Sequence, residues 1–130
     1  MSHTILQPAG WARPRGYANG VAAEGRQVFV SGQIGWDAEQ RIVSDDFGAQ
    51  ARQALANIVA VLATAGAKPE HLVRLTWFVT SRDEYNAALT KIGVSYRELI
   101  GRHYPAMSVV VVVGLLEPRA KVEIEATAVV

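Results

Sequence analysis

The chain has 130 residues, a net charge of +1 and 50% hydrophobic residues, values typical of a globular protein rather than a disordered segment. The near-neutral charge argues against a surface for nucleic acid or membrane, and the absence of cysteine excludes disulfides and thiolate metal sites. We predict one domain spanning residues 1–130. No signal peptide or membrane span is visible, so we expect a cytoplasmic protein.

The first third of the chain predicts short strands. Residues 1–16 contain several prolines and glycines and are interpreted as an irregular arm. Residues 17–23 and 27–31 predict two strands of a hairpin around Glu24-Gly25. The second strand ends at Ser31-Gly32, where the glycine allows close approach of another backbone or a ligand.

Two helices follow, each with apolar residues at spacings of three and four. The first is predicted over residues 44–65, with Gly66 ending it in a left-handed conformation. The second begins at a capping box, Ser81-x-x-Glu84, and runs without interruption to about residue 100. Gly93 lies inside it and is interpreted as a point of close packing.

Three further strands are predicted over residues 72–80, 107–113 and 121–130. In the last one apolar side chains alternate with polar ones, so that Glu123 and Glu125 share one face. We expect this strand to be central in its sheet. The two carboxylates belong either to a solvent-exposed face or to a site, and the pattern alone leaves both open.

The order of elements predicts an α+β fold, a mixed sheet with two helices on one face. The other face keeps too many large apolar residues for solvent, which indicates a partner, most simply copies of the same chain. The chain has no Walker loop and no Gly-x-Gly-x-x-Gly motif. His3, His71 and His103 are dispersed in the sequence, so no metal site is predicted.

Several segments, in order and at matching spacing, together carry a resemblance to a known family. They include Gly-Tyr-x-x-Gly at 16–20, Val-Phe-Val-Ser-Gly-Gln-Ile at 28–34, Gln-Ala-Arg-Gln-Ala-Leu-x-Asn-Ile at 50–58, Tyr-Pro-Ala at 104–106 and Val-Glu-Ile-Glu-Ala at 122–126. In these segments the chain resembles the RidA/YjgF family of reactive intermediate deaminases, also called the endoribonuclease L-PSP family.

The resemblance implies a chorismate-mutase-like α+β fold, assembled as a homotrimer. The three sheets would form a central barrel with the helices outside, and ligand sites would lie in the clefts between subunits. The implied activity is hydrolysis of enamine or imine intermediates to a carbonyl compound and ammonia, without a metal or an organic cofactor. The implied partner is therefore a small-molecule imine, not a nucleic acid or a membrane.

The resemblance also implies roles for five residues. Glu123 matches the carboxylate that handles the attacking water, a general acid/base role. Tyr17, Ser31 and Gly32 match substrate-binding positions in the cleft. Met107 stands where the family's archetypes have an arginine that pairs with the substrate carboxylate, and methionine cannot make that contact.

Three hypotheses follow. The first is an enamine/imine deaminase that acts on a less acidic or larger substrate than the archetypes. The second is a non-catalytic trimeric protein that binds an apolar or aromatic metabolite. The third, a ribonuclease, is disfavoured by the near-neutral charge. The sequence leaves open whether a loop cation, from among Arg13, Arg15, Arg102 and His103, replaces the missing arginine.

Overall fold

A computed structural model describes residues 3–130 as a four-stranded sheet covered by helices on one face, with a separate two-stranded ribbon. The strands are β1 (Thr4–Leu6), β2 (Gly20–Ala22), β3 (Gln27–Ile34), β4 (Leu72–Val79), β5 (Ala106–Val111) and β6 (Val122–Val129). The helices are α1 (Phe47–Thr64), α2 (Arg82–Ala87) and α3 (Leu89–Leu99), with a single 3₁₀ turn at Pro69–His71. The predicted α+β class is confirmed. Among the described residues, no helix has both the length and the apolar character that a bilayer crossing requires.

The last strand is an inner strand of the sheet, as predicted. The strand order is β3-β6-β4-β5, so β6 has neighbours on both sides and pairs antiparallel with each. Its alternate residues Val122, Ile124, Ala126 and Ala128 are buried against the helices. Strands β4 and β5 run parallel, and β5 forms an edge of the sheet.

Helix α1 begins three residues later than predicted, because Asp46 provides its N-cap. The Asp46 carboxylate accepts a hydrogen bond from the Ala49 backbone N–H at 2.9 Å, while the Ser44 hydroxyl accepts from the N–H of Asp46. At the other end Gly66 has a φ of 71°, which confirms the predicted left-handed stop.

The second predicted helix is two helices, so the prediction of one continuous helix is wrong. The chain breaks at Ala88 (φ −97°, ψ 2°), without a proline or a glycine at the break. Before the break, Tyr85 packs edge-on against Phe47 and Trp77, and after it Ile92 is buried in the core. Tertiary packing on both sides of Ala88 therefore overrides a helical pattern that continues through it.

The predicted hairpin around Glu24-Gly25 is also wrong. Strand β2 pairs with β1, at the start of a segment that the sequence suggested was irregular, and β3 pairs with β6 instead. The reason lies beside the expected turn, where Arg26 and Val130 exchange two backbone hydrogen bonds of 2.8 Å. These bonds tie the chain after Gly25 to the end of β6. Residues 1 and 2 of the predicted arm lie outside the described residues.

The two faces of the four-stranded sheet differ sharply. One face is covered by the helices. The other, here called the open face, carries the side chains of Phe29, Phe78, Val110, Glu123 and Thr127, which the strand register places side by side. Phe29 is 71% exposed and Val110 is 41% exposed. Large apolar side chains on an uncovered sheet face agree with the expectation that this face has a partner.

Candidate functional site

Gly32 and Glu123 are in direct contact on neighbouring strands. A Cβ atom added at Gly32 would lie 2.7 Å from Glu123 Cδ and would overlap a carboxylate oxygen. Glycine is therefore the residue that leaves room for the Glu123 carboxylate at this point. Glu123 is half-buried and has no ion pair or hydrogen bond to its side chain among the described residues, so its oxygens are free to bind a water molecule or a ligand.

The sheet is irregular where this pair lies. The register of β3 against β6 shifts between Val30 and Gln33, so Ser31 and Gly32 lie in a β-bulge. Bulges often occur beside functional sites, where they reorient a side chain or a backbone group. Ser31 is exposed and lines a shallow depression with Arg74 and Glu125.

A second feature is a cavity of about 490 Å³ between the edge strand β5 and helices α2 and α3. This volume is within the range of small-molecule sites. The cavity is lined by aromatic and aliphatic side chains, two glycines and one charged residue. They are Arg15, Gly16, Tyr17, Trp77, Tyr85, Leu89, Ile92, Gly93, Tyr96, Tyr104, Met107 and Val109.

Tyr17 and Met107, both predicted to bind substrate, line this cavity. The segment that carries Tyr17 is fixed to the start of β5, because the Ala18 backbone N–H donates to the Pro105 carbonyl at 2.9 Å. Met107 pairs with Leu75 of β4, which is fully buried on the helix-covered face. Its side chain therefore points to the helices and packs against the core.

The five predicted site residues thus form two groups on opposite faces of the sheet. Ser31, Gly32 and Glu123 are at the bulge, and Glu123 is on the open face because Val122 and Ile124 on either side of it are buried against the helices. Tyr17 and Met107 are at the cavity on the helix-covered side. A single chain does not bring the two groups into one site.

Two of the tyrosines that line the cavity, Tyr85 and Tyr96, have a raised pKa. Burial, with a smaller contribution from Tyr104, strongly raises the pKa of Tyr96, whose hydroxyl donates to the His103 carbonyl at 2.6 Å. Burial also raises the pKa of Tyr85. Both therefore stay neutral at physiological pH. Trp77 adds a buried indole N–H with no hydrogen-bond partner among the described residues.

The aromatic lining was missed from the sequence. Tyr85, Leu89, Ile92 and Tyr96 belong to the apolar stripe that predicts the second helix, and the stripe itself gives no sign that it borders a cavity. An apolar stripe shows which face of a helix points inward. It does not distinguish a face that packs into a filled core from a face that lines a cavity. A glycine on that stripe, Gly93, was the available signal, but it was interpreted as close packing. No atom lies within 4 Å of a Cβ added there.

The three histidines, far apart in sequence, lie together near the N-terminus. The ring of His3 is 6.5 Å from that of His71 and 6.4 Å from that of His103. Each ring has a nitrogen engaged with backbone: His3 with Val129, His103 with Leu72, and His71 as acceptor from Lys68 N–H. Within residues 3–130, no group of three or more His, Asp and Glu side chains is arranged to hold a metal ion.

The chain as a whole is similar to a family of known proteins. The family model described as Endoribonuclease L-PSP matches residues 11–130. The chain is 36% identical to the 2-iminobutanoate/2-iminopropanoate deaminase of Salmonella typhimurium over 132 residues, covering 99% of this chain and 98% of that protein. The protein of the same name from Escherichia coli K12 is 34% identical, with the same coverage.

The fold has a close counterpart among solved structures. The crystal structure of YyfB from Yersinia pestis, described as a protein of unknown function of the conserved Rid protein family, superposes with a TM-score of 0.88. The two chains are 32% identical, and the match covers 100% of each.

Proposed function

Because this chain belongs to the endoribonuclease L-PSP family, also called the RidA/YjgF family, we propose that it is an enamine/imine deaminase with a substrate different from that of the archetypes. Two relatives at 34–36% identity are named as deaminases of small imino acids. The single observation that carries the proposal is the contact between Gly32 and the Glu123 carboxylate. That contact keeps a free carboxylate beside a bulged strand.

The proposed chemistry uses Glu123 as a general base. The carboxylate takes a proton from a water molecule whose oxygen attacks the carbon of the C=N bond. Glu123 returns this proton to the nitrogen, which gives a tetrahedral intermediate with a hydroxyl and an amino group. The hydroxyl proton then passes to the nitrogen as the C=O bond forms, the C–N bond breaks, and ammonia leaves. The Tyr17 hydroxyl and the Gly32 backbone N–H are the proposed hydrogen-bond donors to the substrate.

Met107 supports a substrate that differs from small imino acids. The archetypal arginine at this position would form a charge-assisted contact with a substrate carboxylate, to which methionine contributes nothing. Met107 instead adds an apolar surface beside Trp77 and Val109 in the cavity. We therefore expect slow or no turnover of the imines derived from the smallest amino acids.

We propose further that the active form is a homotrimer with its sites between subunits. Two observations support this assembly: the open face carries the exposed Phe29, and the two groups of site residues lie on opposite faces of one sheet. In a trimer whose open faces form a barrel, the cavity of one copy would adjoin Glu123 of the next.

The test is hydrolysis of a panel of imines by wild type, Glu123→Gln and Glu125→Gln. Removing a general base typically costs about 100-fold or more, so Glu123→Gln should lose that much kcat/KM on whichever imine is hydrolysed. Glu125→Gln is the matched control, since it removes the neighbouring carboxylate of the same strand, and it should keep most of the activity. Equal activity of wild type and Glu123→Gln across the panel would overturn the proposal.

The apolar cavity also favours a second candidate, a non-catalytic protein that binds a small molecule. All but one of the residues that line the cavity are uncharged. Under this alternative, aromatic acids would raise the melting temperature by preferential binding to the folded state, and no imine would be hydrolysed.

A further inference from the structure

We infer that the cavity binds an imino acid with an aromatic side chain, and that Arg15 holds its carboxylate in place of the arginine that Met107 replaces. This inference rests on the proposed function and names the substrate class of the same site. It starts from the charge of the cavity. Arg15 is the one charged residue in the lining, and no aspartate or glutamate accompanies it. A cavity with a single positive charge and apolar walls selects a ligand that is an anion at one end and apolar at the other.

Arg15 is placed to act at the mouth of the cavity. The residue is exposed while lining the cavity, and no carboxylate of the described chain lies within ion-pairing distance of it. Gly16 has a φ of 77°, in the left-handed region, and both of its neighbours, Arg15 and Tyr17, line the same cavity. The hydrogen bond from Ala18 to Pro105 fixes this segment to β5, next to Met107.

The other loop cations do not line the cavity. Arg13, Arg102 and His103 line a neighbouring depression, which is separated from the cavity by Tyr17 and Tyr104, since these two residues line both. Of the four cations that the sequence left open, Arg15 is the one at the cavity. An arginine is also the side chain suited to the task, because its planar guanidinium can bind a carboxylate through two parallel hydrogen bonds.

The walls of the cavity fit an aromatic ring. Tyr96 and Tyr104 are stacked, with ring centroids 5.3 Å apart and an interplanar angle of 7°. The Tyr96 hydroxyl is already bonded to the His103 carbonyl, so Tyr96 offers the cavity its ring rather than its polar group. Met107 contributes a thioether, which makes favourable contacts with aromatic rings. A methyl or ethyl side chain would leave most of the 490 Å³ unfilled, whereas a ring gains contact with these walls.

The reaction balances without an oxidant or a reductant. Water adds its oxygen to the imine carbon, both of its protons pass to the nitrogen, the C–N bond breaks as the C=O bond forms, and ammonia leaves. The product is a 2-keto acid that keeps the aromatic side chain and the carboxylate on Arg15. The enzyme that supplies the substrate must therefore leave a C=N bond at the α-carbon of an aromatic amino acid.

The experiment compares imines released by an amino-acid oxidase from phenylalanine and from alanine, with keto acid formation as the readout. Wild type should hydrolyse the phenylalanine-derived imine with a kcat/KM about tenfold or more above that for the alanine-derived imine. Arg15→Gln should lose about tenfold, mainly through KM, and Arg15→Lys should recover part of the loss. Arg13→Gln is the matched control from the same segment and should behave as wild type.

A binding measurement separates this inference from the proposed function. Phenylpyruvate and pyruvate are titrated by calorimetry into wild type and Arg15→Gln. Wild type is expected to bind phenylpyruvate more tightly than pyruvate, and Arg15→Gln is expected to lose this preference. Tighter binding of phenylpyruvate that depends on Arg15, without hydrolysis of any imine, would refute the proposed function and support the ligand class. Hydrolysis that depends on Glu123 but prefers the alanine-derived imine, or equal binding by wild type and Arg15→Gln, would overturn the inference.

Discussion

Gly32 is the residue on which the position of the Glu123 carboxylate depends. The backbone of Gly32 lies outside the left-handed region, so its conformation alone does not require glycine. What requires glycine is space, because an added Cβ would lie 2.7 Å from Glu123 Cδ and 2.8 Å from Cγ. The group that must yield is the end of a flexible side chain, which can change rotamer at low energetic cost.

Gly32→Ala is therefore expected to impair function more than stability. The Glu123 carboxylate should be displaced, and imine hydrolysis should fall by about tenfold or more, while the free energy of unfolding changes by less than about 1 kcal/mol. Urea denaturation and steady-state kinetics measure the two effects. In a Glu123→Ala background the added methyl group meets no carboxylate, so Gly32→Ala should have no further effect on activity. If the activity loss of the double variant instead equalled the product of the losses of the two single variants, Gly32 would act independently of Glu123.

Among the elements, helix α3 forms a wall of the cavity because Gly93 leaves open space. Glycine inside a helix costs roughly 1 kcal/mol relative to alanine, and here no close packing compensates. The stability given up at this position keeps the cavity open. Met107, on the facing strand β5, differs from Gly93, because its side chain packs against the core.

Substitutions at Gly93 should separate stability from function. Gly93→Ala is expected to raise the free energy of unfolding by about 0.5–1 kcal/mol, because nothing lies within 4 Å of the new Cβ. Gly93→Phe should fold as well as wild type, fill the cavity and abolish imine hydrolysis. Val94→Phe, at an exposed position of the same helix, is the control and should leave kinetics unchanged. Full activity of Gly93→Phe would mean that the substrate binds elsewhere.

Elements defined by local periodicity could be predicted from the sequence. Features set by contacts between distant segments, such as strand pairing, could not. Helix α1 and strands β4 and β6 begin and end within three residues of their predicted bounds, since alternating and helical patterns report burial directly. Strand β2 pairs with β1, and hydrogen bonds between Arg26 and Val130 join the start of β3 to the end of β6; no local pattern encodes either pairing. The break at Ala88 has neither proline nor glycine to announce it.

Some residues of the candidate site could likewise be predicted from the sequence, and others could not. Glu123 and Gly32 are candidates through a family resemblance, and the structure places them in contact, while their roles stay predictions. The aromatic cavity was not predicted, because Tyr85 and Tyr96 follow a stripe that a filled core would also produce. Arg15 was one of four open candidates, and only tertiary structure distinguishes it from Arg13, two residues away.

For the whole molecule, the decisive feature is that the sheet separates the cavity from Glu123. The strand β6 presents Glu123 to the open face, while β5 directs Met107 to the helices. A substrate bound in the cavity of one chain is thus on the opposite side of the sheet from that chain's own carboxylate. Under the proposed function, Glu123 would therefore act on a substrate held by a second copy, and the exposed Phe29 on the open face is consistent with such packing.

Subunit mixing tests this arrangement directly. Glu123→Gln chains keep an intact cavity and Gly93→Phe chains keep an intact carboxylate, so in the proposed homotrimer each variant alone should be inactive. If each site combines the cavity of one copy with Glu123 of the next, random co-assembly of the two in equal amounts should restore about a quarter of the wild-type imine hydrolysis. The measurement is kcat after joint refolding, with separately refolded and then mixed trimers as the control. If each chain holds a whole site, no mixed assembly contains an intact one, and joint refolding recovers nothing.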